Sequence, residues 1–366
     1  MASLPSPYMA SLPSPYMASL PSPYSTMAAM ADIPVIITVD LPDRLIDRLR
    51  SVSPHLKIRV HPTGEASDIP DEQLGEMEIL YTRRALPEPE QVPNLRWIQF
   101  HWSGIDPFVE HSLLRSDVFV TTLSGAAVPQ MAEYALTMMM AASHHLPDML
   151  DHKRRKHWPE DRFTRFRPQE LRGSTVGIVG YGSIGREIAR LCQAFGARVL
   201  VTKRDLKSLE HKGYQLEGLG DPQAELPNRI YPPQALASMA AECDFLVITV
   251  PLAPQTRGLV GEKVLRRMKP TAYLIDVSRG GVVDHGALVE ALKDHWIAGA
   301  ALDVYPVEPL PESSPLWELP NAILSPHVAG TSGQYLERAA ELFSENLRRY
   351  IANEPLLNRY DPKLGY

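Results

Sequence analysis

Three segments late in the chain each place one reactive side chain just after a predicted strand. They are Ser278-Arg279-Gly280-Gly281, Asp303-Val304-Tyr305-Pro306-Val307-Glu308-Pro309 and Ser325-Pro326-His327-Val328-Ala329-Gly330. A guanidinium such as that of Arg279 can clamp a carboxylate through two charge-assisted hydrogen bonds. An imidazole such as that of His327 exchanges protons near neutral pH, and a carboxylate such as that of Glu308 accepts hydrogen bonds. Taken singly, each has a plain explanation: Arg279 as a surface turn, Glu308 as a helix-flanking charge, His327 as a hydrogen-bonded core residue. Three such groups on loops at one edge of a parallel sheet, downstream of a glycine-rich turn, instead read together as candidate active-site residues.

Upstream lies Gly180-Tyr181-Gly182-Ser183-Ile184-Gly185, preceded by the apolar run Thr175–Val179 and followed by Ile188, Leu191, Cys192 and Phe195 at helical spacing. In that setting the glycines read as a dinucleotide turn. The first permits the bend, the second lets backbone approach a pyrophosphate, and the third allows close strand–helix packing at a helix N-terminus rich in N–H donors. About 20 residues further on, a carboxylate commonly accepts from a ribose 2′-hydroxyl. Here Lys203 and Arg204 occupy that place, with Asp205 beyond them. Two cations suit a 2′-phosphate, so NADP is the expected coenzyme. NAD remains possible if Asp205 takes the acid's role and the cations are solvated turn charges.

The elements that must hold these groups alternate along the chain. Val35–Val39, Lys57–Val60, Ile79–Tyr81 and Arg96–Phe100 are predicted strands, with a helix over Asp43–Arg50. Val128–His145 reads as one long apolar helix, and 152–167 as a polar connector. After the glycine turn, strands are predicted at Arg198–Thr202, Phe245–Val250, Ala272–Asp276, Ala298–Asp303 and Ala322–Ser325, with a helix over Gly286–His295. A last helix, Gln334–Ala352, carries Leu336, Ala340, Phe343, Leu347 and Tyr350 on one face and is expected to pack back on the first unit. This alternation predicts parallel sheets covered by helices, an α/β fold.

Composition narrows the class. With 366 residues, two to three domains are expected, and Lys+Arg 37 against Asp+Glu 43 gives −6, which argues against nucleic acid as partner. No apolar stretch approaches the ~20 residues of a membrane span. The first 24 residues are MASLPSPY written three times, and residues 1–30 are read as a disordered tail outside the chemistry, with no secretory or transit signal. Cys192 and Cys243 sit in apolar patterns without metal-ligand spacing, so no metal is expected. The thiols point to a reducing, cytoplasmic setting.

Together the motifs resemble the D-isomer-specific 2-hydroxyacid dehydrogenase family, most closely its glyoxylate/hydroxypyruvate reductases. GYGSIG, CDFLVITVPLAPQTRGLVG (243–261), DVSRGGVVDHGALVEAL (276–292), AGAALDVYPVEPLP (298–311) and LSPHVAG (324–330) follow in the family's order and spacing. The resemblance implies two Rossmann/flavodoxin-like domains, with the NAD(P)-binding domain (149–327) inserted into a discontinuous substrate domain (31–148 and 328–366). It implies that Arg279 clamps the substrate's carboxylate and keto oxygen, that His327 is the general acid/base, and that Glu308 is its partner. Asp303 would anchor the nicotinamide carboxamide. Val250, Pro251 and Thr256 would lie near the adenosine half, and Val277, Ser278 and Gly330 would join the coenzyme-facing set. Ser103 and Gly104, in Trp102-Ser103-Gly104-Ile105-Asp106, resemble the loop whose N–H groups bind the substrate carboxylate. Trp102 is either pocket wall or core, and Arg83 and Arg84 read as surface charge.

The implied reaction is reversible reduction of small 2-keto acids to D-2-hydroxy acids by a homodimer, with Val128–His145 as part of the contact. Three departures stand out. Asp276 occupies a place where the family commonly has Asn, Lys203-Arg204 replaces an acid, and only 39 residues follow His327, so no added regulatory domain is expected. A dinucleotide-sensing, corepressor-like interaction protein is the alternative from another class.

Overall fold

Alternating β-branched runs and amphipathic helices produce two separate, wholly parallel sheets in the computed structural model, which describes residues 31–362. The expected N-terminal tail and the last four residues of the expected substrate domain lie outside those residues. The first sheet comprises β1 (Ile33–Ile37), β2 (Leu56–Val60), β3 (Ile79–Thr82), β4 (Trp97–Phe100) and β5 (Phe119–Thr121), in the order β2-β1-β3-β4-β5. The second comprises β6 (Thr175–Val179), β7 (Arg198–Thr202), β8 (Arg229–Tyr231), β9 (Phe245–Ile248), β10 (Tyr273–Asp276), β11 (Gly299–Leu302) and β12 (Ala322–Leu324). Its order, β12-β11-β10-β9-β6-β7-β8, reverses direction beside β6. That reversal opens a crevice at the carboxyl ends of β6 and β9, where doubly wound sheets bind ligands.

Central strands are buried on both faces because helices cover both, which explains their unbroken apolar runs. The Tyr335–Ile351 helix does return to the first sheet: Phe343 stacks on Tyr81 with ring centroids 4.6 Å apart, and Tyr350 stacks on Trp97 at 5.5 Å. The Val128–Ser143 helix crosses between the units, burying Ala132, Ala135 and Met139 in the second core beside Ile178 and Ile188. It stops short of the predicted end. His145 takes a left-handed conformation (φ 55°) and a second helix, Leu146–Arg154, follows and runs into the expected connector, which also holds a short one at Arg162–Arg165. Strands β5 and β8, three residues each, lie outside the predicted set.

Candidate active site

The glycine turn has the shape its residue types require. Gly180 adopts φ 105° and its N–H donates to Thr202 Oγ1 at 3.1 Å, tying the end of β7 to the turn. A Cβ at Gly185 would overlap the Gly180 carbonyl, whereas a Cβ at Gly182 would meet no atom within 4 Å. The third glycine is therefore fixed by packing and the second faces open space at the start of the Ser183–Ala194 helix, as a pyrophosphate cradle needs. These residues fit a dinucleotide. Tyr181 turns away from that space, donating its hydroxyl to Asp221 Oδ2 at 2.5 Å. Lys203 and Arg204 follow β7 directly. Partial burial lowers the Lys203 ammonium's pKa, and Arg186 and Arg204 add to that effect.

On the other side of the crevice, Val250, Pro251 and Thr256 form a self-bonded turn. Thr256 Oγ1 donates to Pro251 O at 2.6 Å and accepts from the Ala253 N–H at 2.8 Å. Val277 is buried at the end of β10, its N–H donating to Ile248 O at 3.3 Å.

His327 and Glu308 come together as expected. His327 Nδ1 lies 2.7 Å from Glu308 Oε2, and because a carboxylate only accepts, Nδ1 carries the proton. Glu308 Oε1 accepts the Tyr305 N–H at 3.0 Å, which fixes the carboxylate. The imidazole is 42% exposed, open to a substrate.

The turn carrying His327 is held from below by Asp303, buried at the end of β11. Asp303 Oδ1 accepts from Ser325 Oγ at 2.6 Å and the Val328 N–H at 2.8 Å, and Oδ2 accepts from the Ala329 N–H at 2.8 Å. Tyr134, from the crossing helix, bonds Ser325 Oγ, and burial raises its phenol pKa. Gly330 O accepts from Gln130 Nε2 of the same helix at 2.7 Å. Asp303 thus acts on His327 through the backbone around it, a role that sequence reasoning did not find.

Arg279 reaches across to the first unit. Its Nε donates to Asp106 Oδ1 at 3.2 Å, and Nη1 donates to Ser278 O at 2.8 Å. A Cβ at Gly104 would overlap this guanidinium as it lies, so any larger residue there would require the 102–106 loop or Arg279 to shift. Ser103 Oγ donates to Leu123 O at 3.2 Å, pinning the same loop. Trp102 stays 43% exposed, packed edge-on to His101 and beneath the Arg83 guanidinium. Asp106 was visible in the quoted loop, but no local pattern marks it as the partner of a residue 173 positions away.

Beneath Arg279, Asp276 is wholly buried at the end of β10. Oδ1 accepts the Ser278 N–H at 3.0 Å and Ser278 Oγ at 2.6 Å, while Oδ2 has no partner. Burial pushes this carboxyl up to about 7, the Ser278 bonds oppose the rise, and nearby Asp303 adds to it. Among the described residues no cluster of His, Cys, Asp or Glu could hold a metal, and no helix is long and apolar enough to cross a membrane.

Residues 136–329 match the family model described as D-isomer specific 2-hydroxyacid dehydrogenase, NAD binding domain. The chain is 32% identical over 325 residues to a glyoxylate reductase of Thermococcus gammatolerans, covering 86% of this chain and 91% of that protein. It is 35% identical over 270 residues to a glyoxylate reductase of Korarchaeum cryptofilum, covering 72% and 76%. Among solved structures it resembles a D-isomer specific 2-hydroxyacid dehydrogenase from Xanthobacter autotrophicus in complex with NADPH and MES. That match has a TM-score of 0.74 at 29% identity and covers 92% of this chain and 100% of that one. With a turn shaped for a dinucleotide beside a His–Glu pair and an arginine, and with these matches along its length, the chain belongs to the D-isomer specific 2-hydroxyacid dehydrogenases, NAD(P)-dependent oxidoreductases acting on a CH–OH group.

Proposed function

We propose that the protein reduces small 2-keto acids such as glyoxylate and hydroxypyruvate to 2-hydroxy acids, of D configuration where the product is chiral, preferring NADPH. The observation that carries this reading is the His327–Glu308 pair, with Nδ1 committed to the carboxylate, on the same sheet edge as Arg279 and the glycine turn. Relatives carrying the name glyoxylate reductase support the substrate class, and Lys203-Arg204 supports the coenzyme preference.

Arg279, with the N–H groups of Ser103 and Gly104, binds the substrate carboxylate and draws electron density toward the keto oxygen. The bound coenzyme supplies the hydride that the carbonyl carbon receives. His327 Nε2 gives its proton to the carbonyl oxygen, leaving a neutral imidazole whose Nδ1–H still points at Glu308. In the reverse direction that imidazole takes the hydroxyl proton. Asp303 keeps His327 in register. We assign residues 31–148 and 328–366 to the substrate unit and 149–327 to the coenzyme unit, with the Val128–Ser143 helix leaving the first sheet after 122–127 to pack on the core of the coenzyme unit.

Met149 and Trp158 line a cavity of about 430 Å³ in the 146–166 arm, and Leu146, Leu150 and Phe163 are exposed along the same arm, which supports association of two copies through it. The Val128–Ser143 helix itself spends its apolar face within the chain. Buried, unpaired Cys192 and Cys243, both pushed up to about 12 by burial, are consistent with a reducing cytoplasm.

The test is NADPH oxidation by the purified protein with glyoxylate, hydroxypyruvate, pyruvate and larger 2-keto acids, followed by chiral analysis of the product. Absence of turnover with every acid, or an L product, would overturn the assignment.

A further inference from the structure

Between β7 and β8 the chain makes an excursion, residues 203–228, that runs from the coenzyme-selecting turn out to the first unit and back. Two side chains of the coenzyme helix hold its near side. Arg186, 1% exposed, donates from Nη1 to Asp221 O and from Nη2 to Leu209 O, and Glu187, 2% exposed, accepts the Gly220 N–H at 2.6 Å. These residues follow the pyrophosphate cradle directly in sequence.

The far side of the excursion lands on the first unit at the segment that leads from β5 into the crossing helix. The Tyr214 N–H donates to Asn358 Oδ1 at 3.0 Å. Asn358, held at φ 54°, donates from Nδ2 to Ser124 O at 2.6 Å, and its carbonyl accepts the Thr122 N–H at 3.1 Å. Gly125 adopts φ 101°, and a Cβ there would lie 2.8 Å from Tyr214 O. The Tyr214 ring packs against the core of the first unit. Val128 and Gly125 thereby face Ser183, Arg186 and Tyr214 around one small enclosed space.

We propose that residues 203–228 brace the hinge between the two units, with Tyr214 and Asn358 as positioning residues that hold the cleft near the separation at which Arg279 meets the 102–106 loop. The hinge is the chain crossing at 122–127, and the brace fixes it from both sides: Asn358 bonds its carbonyls, and Tyr214 covers its glycine. A hinge without the brace samples wider openings. The apparent affinity for substrate falls with the fraction of molecules in the competent arrangement, while turnover of the closed complex is unchanged. The brace therefore acts on KM and not on kcat. This inference rests on the proposed reaction only for its kinetic readout.

The experiment compares wild type with Asn358→Gly, which keeps the left-handed backbone, and with Tyr214→Ala, using Tyr214→Phe as the conservative control. For glyoxylate, KM is expected to rise about 5- to 10-fold in the first two, with kcat within about twofold and Tyr214→Phe like wild type. Amide exchange at 122–126 and 214–220 should rise in the first two while the β6–β9 core stays protected. Unchanged KM and unchanged exchange at 122–126, with only a lowered Tm, would overturn the brace. The exchange measurement reads the hinge whether or not glyoxylate is a substrate, so failure of the brace is separable from failure of the proposed reaction.

Discussion

Arg279 of the coenzyme-binding unit and Asp106 of the first unit are joined across the cleft, Nε to Oδ1 at 3.2 Å. An arginine that grips an acid of the opposite unit and lies flush against Gly104 is fixed in direction before any substrate arrives. Substitution Arg279→Lys keeps the charge but loses the fork that can hold carboxylate and keto oxygen together. A fall in kcat/KM of about 100-fold or more is expected, with NADPH affinity within about twofold of wild type by fluorescence titration. Equal catalytic efficiency in the two proteins would refute the clamp.

Gly104→Ala tests the same contact from the other side. The added methyl overlaps the guanidinium, so the loop or Arg279 must shift. Loss of about 10- to 100-fold in kcat/KM is expected, since displacements near 1 Å are enough to disturb a reacting geometry. Steady-state kinetics beside a thermal melt separates this from unfolding.

Glu308→Gln leaves the shape of the His327 pair but removes the charge of the carboxylate that accepts the Nδ1 proton. The expected result is a drop of about 10- to 100-fold in kcat for reduction, with little change in coenzyme affinity. A kcat equal to wild type would show that His327 works without its carboxylate.

Lys203 and Arg204 are expected to set the coenzyme ratio. In the double substitution Lys203→Ala/Arg204→Ala, kcat/KM for NADPH should fall about 10- to 100-fold while that for NADH changes little. Wild-type efficiency with NADH at or above that with NADPH would contradict the preference.

Asp276 makes stability depend on pH. Its carboxyl is raised by burial to about 7, above the value near 4 expected in an unfolded chain. The stabilisation is complete at low pH, where the group is protonated in both states, and is lost as pH rises from about 4 through 7, because the folded state resists giving up the proton. Wild-type Tm should therefore fall between about pH 4 and 7, and Asp276→Asn, with no proton to lose, should flatten that fall. Parallel slopes in thermal melts of the two proteins would show that Asp276 is not the group responsible.

Local order along the chain was enough to specify much of this protein. The glycine turn, Arg279, Glu308 and His327 could be read directly, because each sits at a strand end, and a strand, a turn and a helix in succession leave a signal within a dozen residues. The parallel α/β class followed from the same alternation. Other features depend on groups far apart in sequence: Asp106 on Arg279, Asp303 under the His327 turn, and Asn358 on Tyr214, separated by 144 residues. A polar side chain has no periodicity to betray its partner, and which carboxylate meets which donor is settled only when two sheets and the segments between them pack. The break at His145 and the three-residue strands β5 and β8 have the same origin. Their conformations come from neighbours in space.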